Sequence, residues 1–304
     1  VVGATIAVCA WLLYKELRGL SLDDVWESLS AISLVHWILA GLSTLVAYAA
    51  LAGYDRIALM HLGRRVDLWF ITVTSFTTYA LSHNVGASVI SGGVVRYRAY
   101  SSKGLSGREI GALIAICSFT FVLGTLLLAG MVLVLKPHIT ERFGEGFPIH
   151  ASSATGYVIL SLIALYVAAS FLRLRPLNIR SIRLVYPSPR VVLSQLVVGP
   201  LELIGAAGII YFALPEAGNP GFVVVLGIFL ASFSAALISH APGGLGVLEL
   251  VFVMGLPDMD QADVIAALLV FRLFYLLIPF AIALAVIFVF ERTQFRAGRE
   301  TEEC

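Results

Sequence analysis

Five ionisable side chains fall within or beside apolar runs long enough to lie in a bilayer: Asp55, Arg96, Glu202, Glu249 and Arg272. A charged group at membrane depth costs about 2.5 kcal/mol or more, so its presence there marks a candidate site. Glu202 sits inside Gly199-Pro200-Leu201-Glu202-Leu203, and Arg272 inside Val270-Phe271-Arg272-Leu273-Phe274. Glu249 follows a cluster of glycines, and Asp55 and Arg96 lie at the ends of apolar runs. Two carboxylates and an arginine sharing one cavity can hold a zwitterionic or cationic head group. Arg272 would take a phosphate, and Glu202 or Glu249 an amine. The alternative for Glu249 and Arg272 is an ion pair that only holds two helices together. Pro200 beside Glu202 predicts a helix opened at that point.

Two histidines occupy matching places in a repeated Ser-His-x-x-Gly signature. The first copy is Ser82-His83-Asn84-Val85-Gly86, followed by Ser91-Gly92-Gly93; the second is Ser239-His240-Ala241-Pro242-Gly243-Gly244-Leu245-Gly246. At such a break His83 and His240 can donate to a freed backbone carbonyl or take part in proton coupling. Arg96, Tyr97, Arg98 and Tyr100 form a basic aromatic cluster. It reads either as an ordinary interfacial anchor or as a collar for anionic head groups. No HExxH metal site, phosphate-binding glycine loop or paired acid–base dyad is present, so no catalytic residue, metal or cofactor is assigned. Cys9, Cys117 and Cys304 have no CxxC spacing, and the first two read as apolar filler.

The elements that position these groups follow from composition. The chain is 59% hydrophobic and 13% charged, against roughly 25% charged in soluble domains. In hydrocarbon every backbone N–H and C=O must be satisfied internally, and the apolar runs exceed the 9 to 11 residues of a barrel strand, so they are helices. Spans are expected at 34–54, 110–135, 151–172, 191–215 and 264–290. An interfacial helix from Ser21 places Leu22, Val25, Trp26, Leu29 and Ile32 on one face. Val1 to Tyr14 is too short to cross, which predicts that the chain has lost its start.

The runs 68–95 and 221–256 are too long for single spans, and Pro and clustered Gly break them at Gly86, Gly92, Gly93, Pro242, Gly243, Gly244 and Gly246. Non-helical backbone at membrane depth is tolerated only inside protein or beside a wet cavity, so paired breaks point to a binding site. Both runs are read as re-entrant hairpins. The expected fold is an all-α integral membrane protein: a polytopic bundle of about six spanning helices plus two broken or re-entrant hairpins. It forms one transmembrane domain over 1–304, with halves of about 1–135 and 151–291 in an inverted repeat. In this topology 15 of the 20 Lys and Arg fall on one side, which is then cytoplasmic. Reading 68–95 as a single tilted crossing gives 14 against 5, so charge alone does not decide. A net charge of +1 argues against nucleic acid as a partner.

Gly92-Gly93-Val94-Val95-Arg96-Tyr97-Arg98-Ala99-Tyr100, together with Ser239 through Glu249, resembles the lysylphosphatidylglycerol synthase transmembrane family over nearly the whole chain. It is similar to the membrane half of the bifunctional flippase and synthetase of that lipid, the multiple peptide resistance factor. The resemblance implies a multi-pass protein of the bacterial inner membrane, a flippase moving an aminoacylated phospholipid to the outer leaflet, and resistance to cationic antimicrobial peptides. It also implies a role in flipping for Asp55, Arg96, Glu202, Glu249 and Arg272. The sequence ends about 14 residues after the last span, with no counterpart of the soluble aminoacyl-transferase domain, so a transporter rather than an enzyme is expected. Two other readings stand beside it: an intramembrane head-group enzyme using Glu202 or Glu249 as base, and a scaffold docking a lipid synthase or assembling as a homo-oligomer.

Overall fold

The computed structural model describes residues 22–85, 88–143, 152–172, 177–179, 182–184, 187–239 and 244–289. Among them the architecture is helical, apart from a two-stranded antiparallel hairpin of Leu177–Ile179 (β1) and Ile182–Leu184 (β2). A short helix α1 (Leu22–Ala31) precedes α2 (Leu34–His61). Helices α3 (Leu68–Val85) and α4 (Ser88–Ser101) form the first broken run, and α5 (Gly107–Leu135) follows. The second half holds α6 (Ser153–Phe171), α7 (Pro189–Ala213), the broken run α8 (Phe222–Ser239) and α9 (Val247–Gly255), and α10 (Gln261–Phe271). The last helix continues through a π-helical turn at Arg272–Leu277 to Val289.

Among the described residues, six helices are long and apolar enough to cross a membrane: α2, α5, α6, α7, α8 and α10 with its continuation. Their outward faces carry bare apolar side chains such as Leu45, Leu165 and Val197, each about two-thirds exposed, as expected where lipid is the solvent. Local signals set the ends. Ser33 caps α2 by accepting from the His36 N–H, Asp260 caps α10 by accepting from Ala262, and Ser106 with Glu109 closes a capping box at α5. In α1, Leu29 and Ile32 pack on the core as expected, but Trp26, expected on the same face, is exposed, its indole left for the membrane interface, while Ser21 lies outside the described residues.

Both broken runs turn back on themselves. In the first, Gly92 of α4 packs on Ser82 and Thr78 of α3, and Tyr100 meets Phe70 edge-on at 6.1 Å, so the limbs are antiparallel. The loops flanking this hairpin therefore share one end of the bundle, where Arg64 meets Glu109 at 2.7 Å. In the second, Gly244 packs on Ala236 and Gly255 on Ile228, again antiparallel. Its flanking loops lie at the other end, where Arg142 bonds Asp258 at 3.0 Å and Gly218 abuts the Asp258 carbonyl. Although α8 is long enough to cross, its chain reverses and returns as α9. The two hairpins thus enter from opposite ends.

α2 and α7 form the most extensive contact in the bundle. α7 crosses α5 where Gly199 and Gly124 touch backbone to backbone, a close approach that small residues permit when lipid offers no hydrophobic drive for helix association.

Candidate functional site

The second half of α2 lines the centre of the bundle. It runs to His61 rather than stopping near Tyr54, so Asp55 is inside the helix and fully buried instead of at its mouth. Arg96 is likewise not in a loop: it lies on α4, the returning limb of the first hairpin, and is 5% exposed. The reason is their mutual neutralisation. Arg96 donates to Asp55 from Nη2 at 2.6 Å and from Nε at 3.3 Å, and Tyr100 donates to the same carboxylate at 2.8 Å. The Cys117 thiol lies 3.5 Å from Asp55, and the guanidinium sits over the Tyr79 ring, 4.8 Å from its centre. The basic aromatic cluster is therefore split by the helical period, with Arg96 and Tyr100 facing inward and Tyr97 and Arg98 outward.

On the opposite wall, α7 runs through Pro200 without a break and buries Glu202. Tyr275 donates to Glu202 Oε1 at 2.5 Å, and the Tyr54 hydroxyl makes a long 3.5 Å contact with Oε2 and bonds the Gly199 carbonyl at 3.3 Å. The opening expected at Pro200 lies elsewhere, in the π-helical turn of the last helix, where i to i+5 pairing leaves carbonyls for other partners. Tyr48 donates to the Tyr275 carbonyl at 2.9 Å, and Asn84, near the tip of the first hairpin, to that of Leu276 at 3.2 Å.

Arg96 and Glu202 face one cavity of about 170 Å³. Tyr79, Ser82 and His83 line it from the first hairpin, Phe233 and Leu237 from the second, and Cys117 and Ser118 from α5. The chamber thus lies where the hairpins approach from opposite ends. Since Asp55 cancels Arg96, Glu202 is the chamber carboxylate without a cationic partner among the described residues. Arg96 spends two of its N–H donors on Asp55, leaving others for a ligand. His83 stacks on Tyr275 at 5.0 Å, and its buried Nδ1 has no hydrogen-bond partner among the described residues, so it does not donate to a freed carbonyl from that atom.

Glu249 and Arg272 are not among the described residues lining this cavity. Arg272 donates to Glu249 Oε1 from Nε at 2.7 Å and also from Nη2, while Glu249 Oε2 accepts from the Gly246 N–H at 2.9 Å. Glu249 thus already holds the arginine expected to take a phosphate, and the pair ties the second hairpin to the last helix. Gly244 and Gly246 have φ of +67° and +79°, which only glycine adopts cheaply, so the expected break is real there. Gly92 and Gly93, by contrast, lie within α4. Gly86, His240, Pro242 and Gly243 lie outside the described residues.

Sequence reasoning missed Tyr54 and Tyr275, which contact Glu202, Tyr79 beneath Arg96, and Tyr48 on the Tyr275 carbonyl, and it placed Tyr100 in the basic cluster without its bond to Asp55. Their signal was their position, because a tyrosine well inside an apolar span must find a partner for its hydroxyl. It also missed buried Gln195, which donates to Thr120 at 3.0 Å and accepts from Tyr166 at 2.9 Å, joining α5, α6 and α7.

Comparison with known proteins bears on this arrangement. The family model described as the lysylphosphatidylglycerol synthase TM region matches residues 1–283. An uncharacterized protein of Synechocystis sp. is 31% identical, with 97% of this chain and 94% of the relative aligned. The inner membrane protein YbhN of Escherichia coli is 30% identical over 90% of this chain and 86% of its own length. A phosphatidylglycerol lysyltransferase of Staphylococcus haemolyticus is 29% identical over 92% of this chain, which spans only 32% of that relative.

Proposed function

Since the chain belongs to the lysylphosphatidylglycerol synthase transmembrane family, we propose that it is a translocator that carries an aminoacylated phospholipid, lysylphosphatidylglycerol or a close analogue, from the inner to the outer leaflet. The protein is a multi-pass component of the bacterial cytoplasmic membrane. The observation that carries the reading is the chamber, in which a cationic and an anionic side chain share one cavity between hairpins entering from opposite ends. A lysylated phosphatidylglycerol head has one phosphate and two amines, a net charge of +1. With Asp55 and Arg96 cancelling, an ionised Glu202 gives the chamber the complementary −1. In this arrangement Arg96 takes the phosphate through its unused N–H groups, and Glu202 takes an ammonium. The charged head group is the part of the lipid that needs protein around it to cross.

We take the halves 1–135 and 151–291 as inverted repeats, whose alternating openings would expose the chamber to one leaflet and then the other. Glu249–Arg272 and Asp55–Arg96 then act as clamps holding each hairpin to a spanning helix. The lipid leaves chemically unchanged, and its arrival in the outer leaflet lowers the negative surface charge that attracts cationic antimicrobial peptides.

The test is a purified chain in proteoliposomes with a fluorescent lysylphosphatidylglycerol, quenched from outside by dithionite. The reading predicts loss of signal from both leaflets, with mass spectrometry recovering intact lipid. Quenching no deeper than in protein-free vesicles would contradict translocation, and a chemically altered lipid would favour the head-group enzyme.

A further inference from the structure

A second, apolar cavity of about 310 Å³ lies beside the chamber along the seam between α5 and α8. The two spaces share two helices as walls. On α5, Cys117, Ser118 and Phe121 line the chamber and Thr125, Ala129 and Leu133 line the groove; on α8, Phe233 and Leu237 face the chamber, and Gly227, Ala231, Ala235 and Ile238 face the groove. The Phe121–Phe233 pair, 6.0 Å apart and edge-on, marks the junction. Alanines make the trough, and the Thr125 hydroxyl is turned away to the Phe121 carbonyl at 2.9 Å, so its methyl group remains for the groove. At the far end the 3-10 helix Ile139–Phe143 closes the groove. Ile139 reaches this position because Gly227 has no side chain: a Cβ there would overlap its Cδ1.

We propose that this groove binds one acyl chain of the lipid whose head group occupies the chamber. The inference rests on the translocator reading and adds to it the orientation in which the lipid is held. From Phe121 to Leu133 the seam is about 18 Å long at 1.5 Å per helical residue, close to the roughly 15 Å of one leaflet's hydrocarbon. A tail in the groove runs toward the end of the bundle where the second hairpin enters, with the head group on the side of the Lys- and Arg-rich loops. That is the orientation of a lipid in the cytoplasmic leaflet, so the cavity pair describes the loading state.

The experiment compares dioleoyl- and dihexanoyl-lysylphosphatidylglycerol binding to the whole chain by native mass spectrometry. The unaltered protein should bind the long-chain lipid at least about tenfold more tightly, because the short tails leave the groove empty. Ala235→Trp and, from the facing helix, Ala129→Phe should erase that difference while leaving dihexanoyl binding intact, which also reports folding. Arg96→Gln should weaken both lipids. Unchanged long-chain binding in the filled-groove variants would overturn the groove. Loss of the long-chain preference on filling, with Arg96→Gln harmless, would keep the groove and overturn the head-group site instead. If the bulky variants fail to fold, a diazirine at the end of the acyl chain decides on the unaltered protein. Adducts within 125–133 or 227–235 support the groove, and adducts confined to other lipid-facing helices overturn it.

Discussion

Arg96, on the returning limb of the first hairpin, donates to Asp55 of α2 through two nitrogens, at 2.6 Å and 3.3 Å, with both side chains almost wholly out of solvent. Removing one partner of a buried pair leaves the other charge uncompensated, which typically costs about 3–5 kcal/mol. Asp55→Asn is therefore expected to lower the unfolding midpoint in detergent sharply. The double variant Asp55→Asn/Arg96→Gln should be more stable than the sum of the single losses. Additive single effects in that cycle would show that the two residues do not hold the hairpin through each other.

Helix crossing at Gly124 leaves no room for a side chain, since a Cβ there would lie 2.5 Å from the Gly199 carbonyl carbon, and backbone cannot move aside as a side-chain end can. Gly124→Val should destabilise by about 3 kcal/mol or more, seen as a broadened size-exclusion peak and a lowered unfolding temperature. Gly111 lies on the same helix with nothing within 4 Å of an added Cβ. Gly111→Ala is accordingly expected to leave folding unharmed.

Glu202, without a cationic partner among the described residues, should make the chamber attract cations. With Cys9, Cys117 and Cys304 replaced by serine, Ser118→Cys places one thiol at the chamber wall. A positively charged methanethiosulfonate should label it about tenfold faster than a negatively charged one of similar size. Adding Glu202→Gln should remove most of that preference. Equal rates before this change would mean that Glu202 does not set the field of the chamber.

Much of this architecture is written in local pattern. The long apolar runs give the spans, and the glycines at 243, 244 and 246 with Pro242 mark where the second run must break. The first hairpin was less legible, because Lys and Arg counts barely separate a hairpin from a crossing, whereas the packing of Gly92 on Ser82 settles it. Asp55 and Arg96 seemed to end their runs because a single charge interrupts hydropathy, and only the partner 41 residues away explains its burial. Glu249 and Arg272 were legible as residues and, in one of two readings, as a pair joining two helices, but not as lying outside the central chamber. The π-helical turn at Arg272–Leu277 has no Pro or Gly to announce it, and its carbonyls are claimed by Tyr48 and Asn84 from distant helices. What sequence conceals here is pairing across the bundle.

Head-group binding in the space between the two hairpins is tested most directly by a cryo-EM map of the chain in nanodiscs containing lysylphosphatidylglycerol. The expected map has head-group density inside the bundle, with its phosphate within hydrogen-bonding distance of Arg96 and an amine at Glu202. Lipid density confined to the outer faces of the helices, with the chamber holding only water, would contradict it.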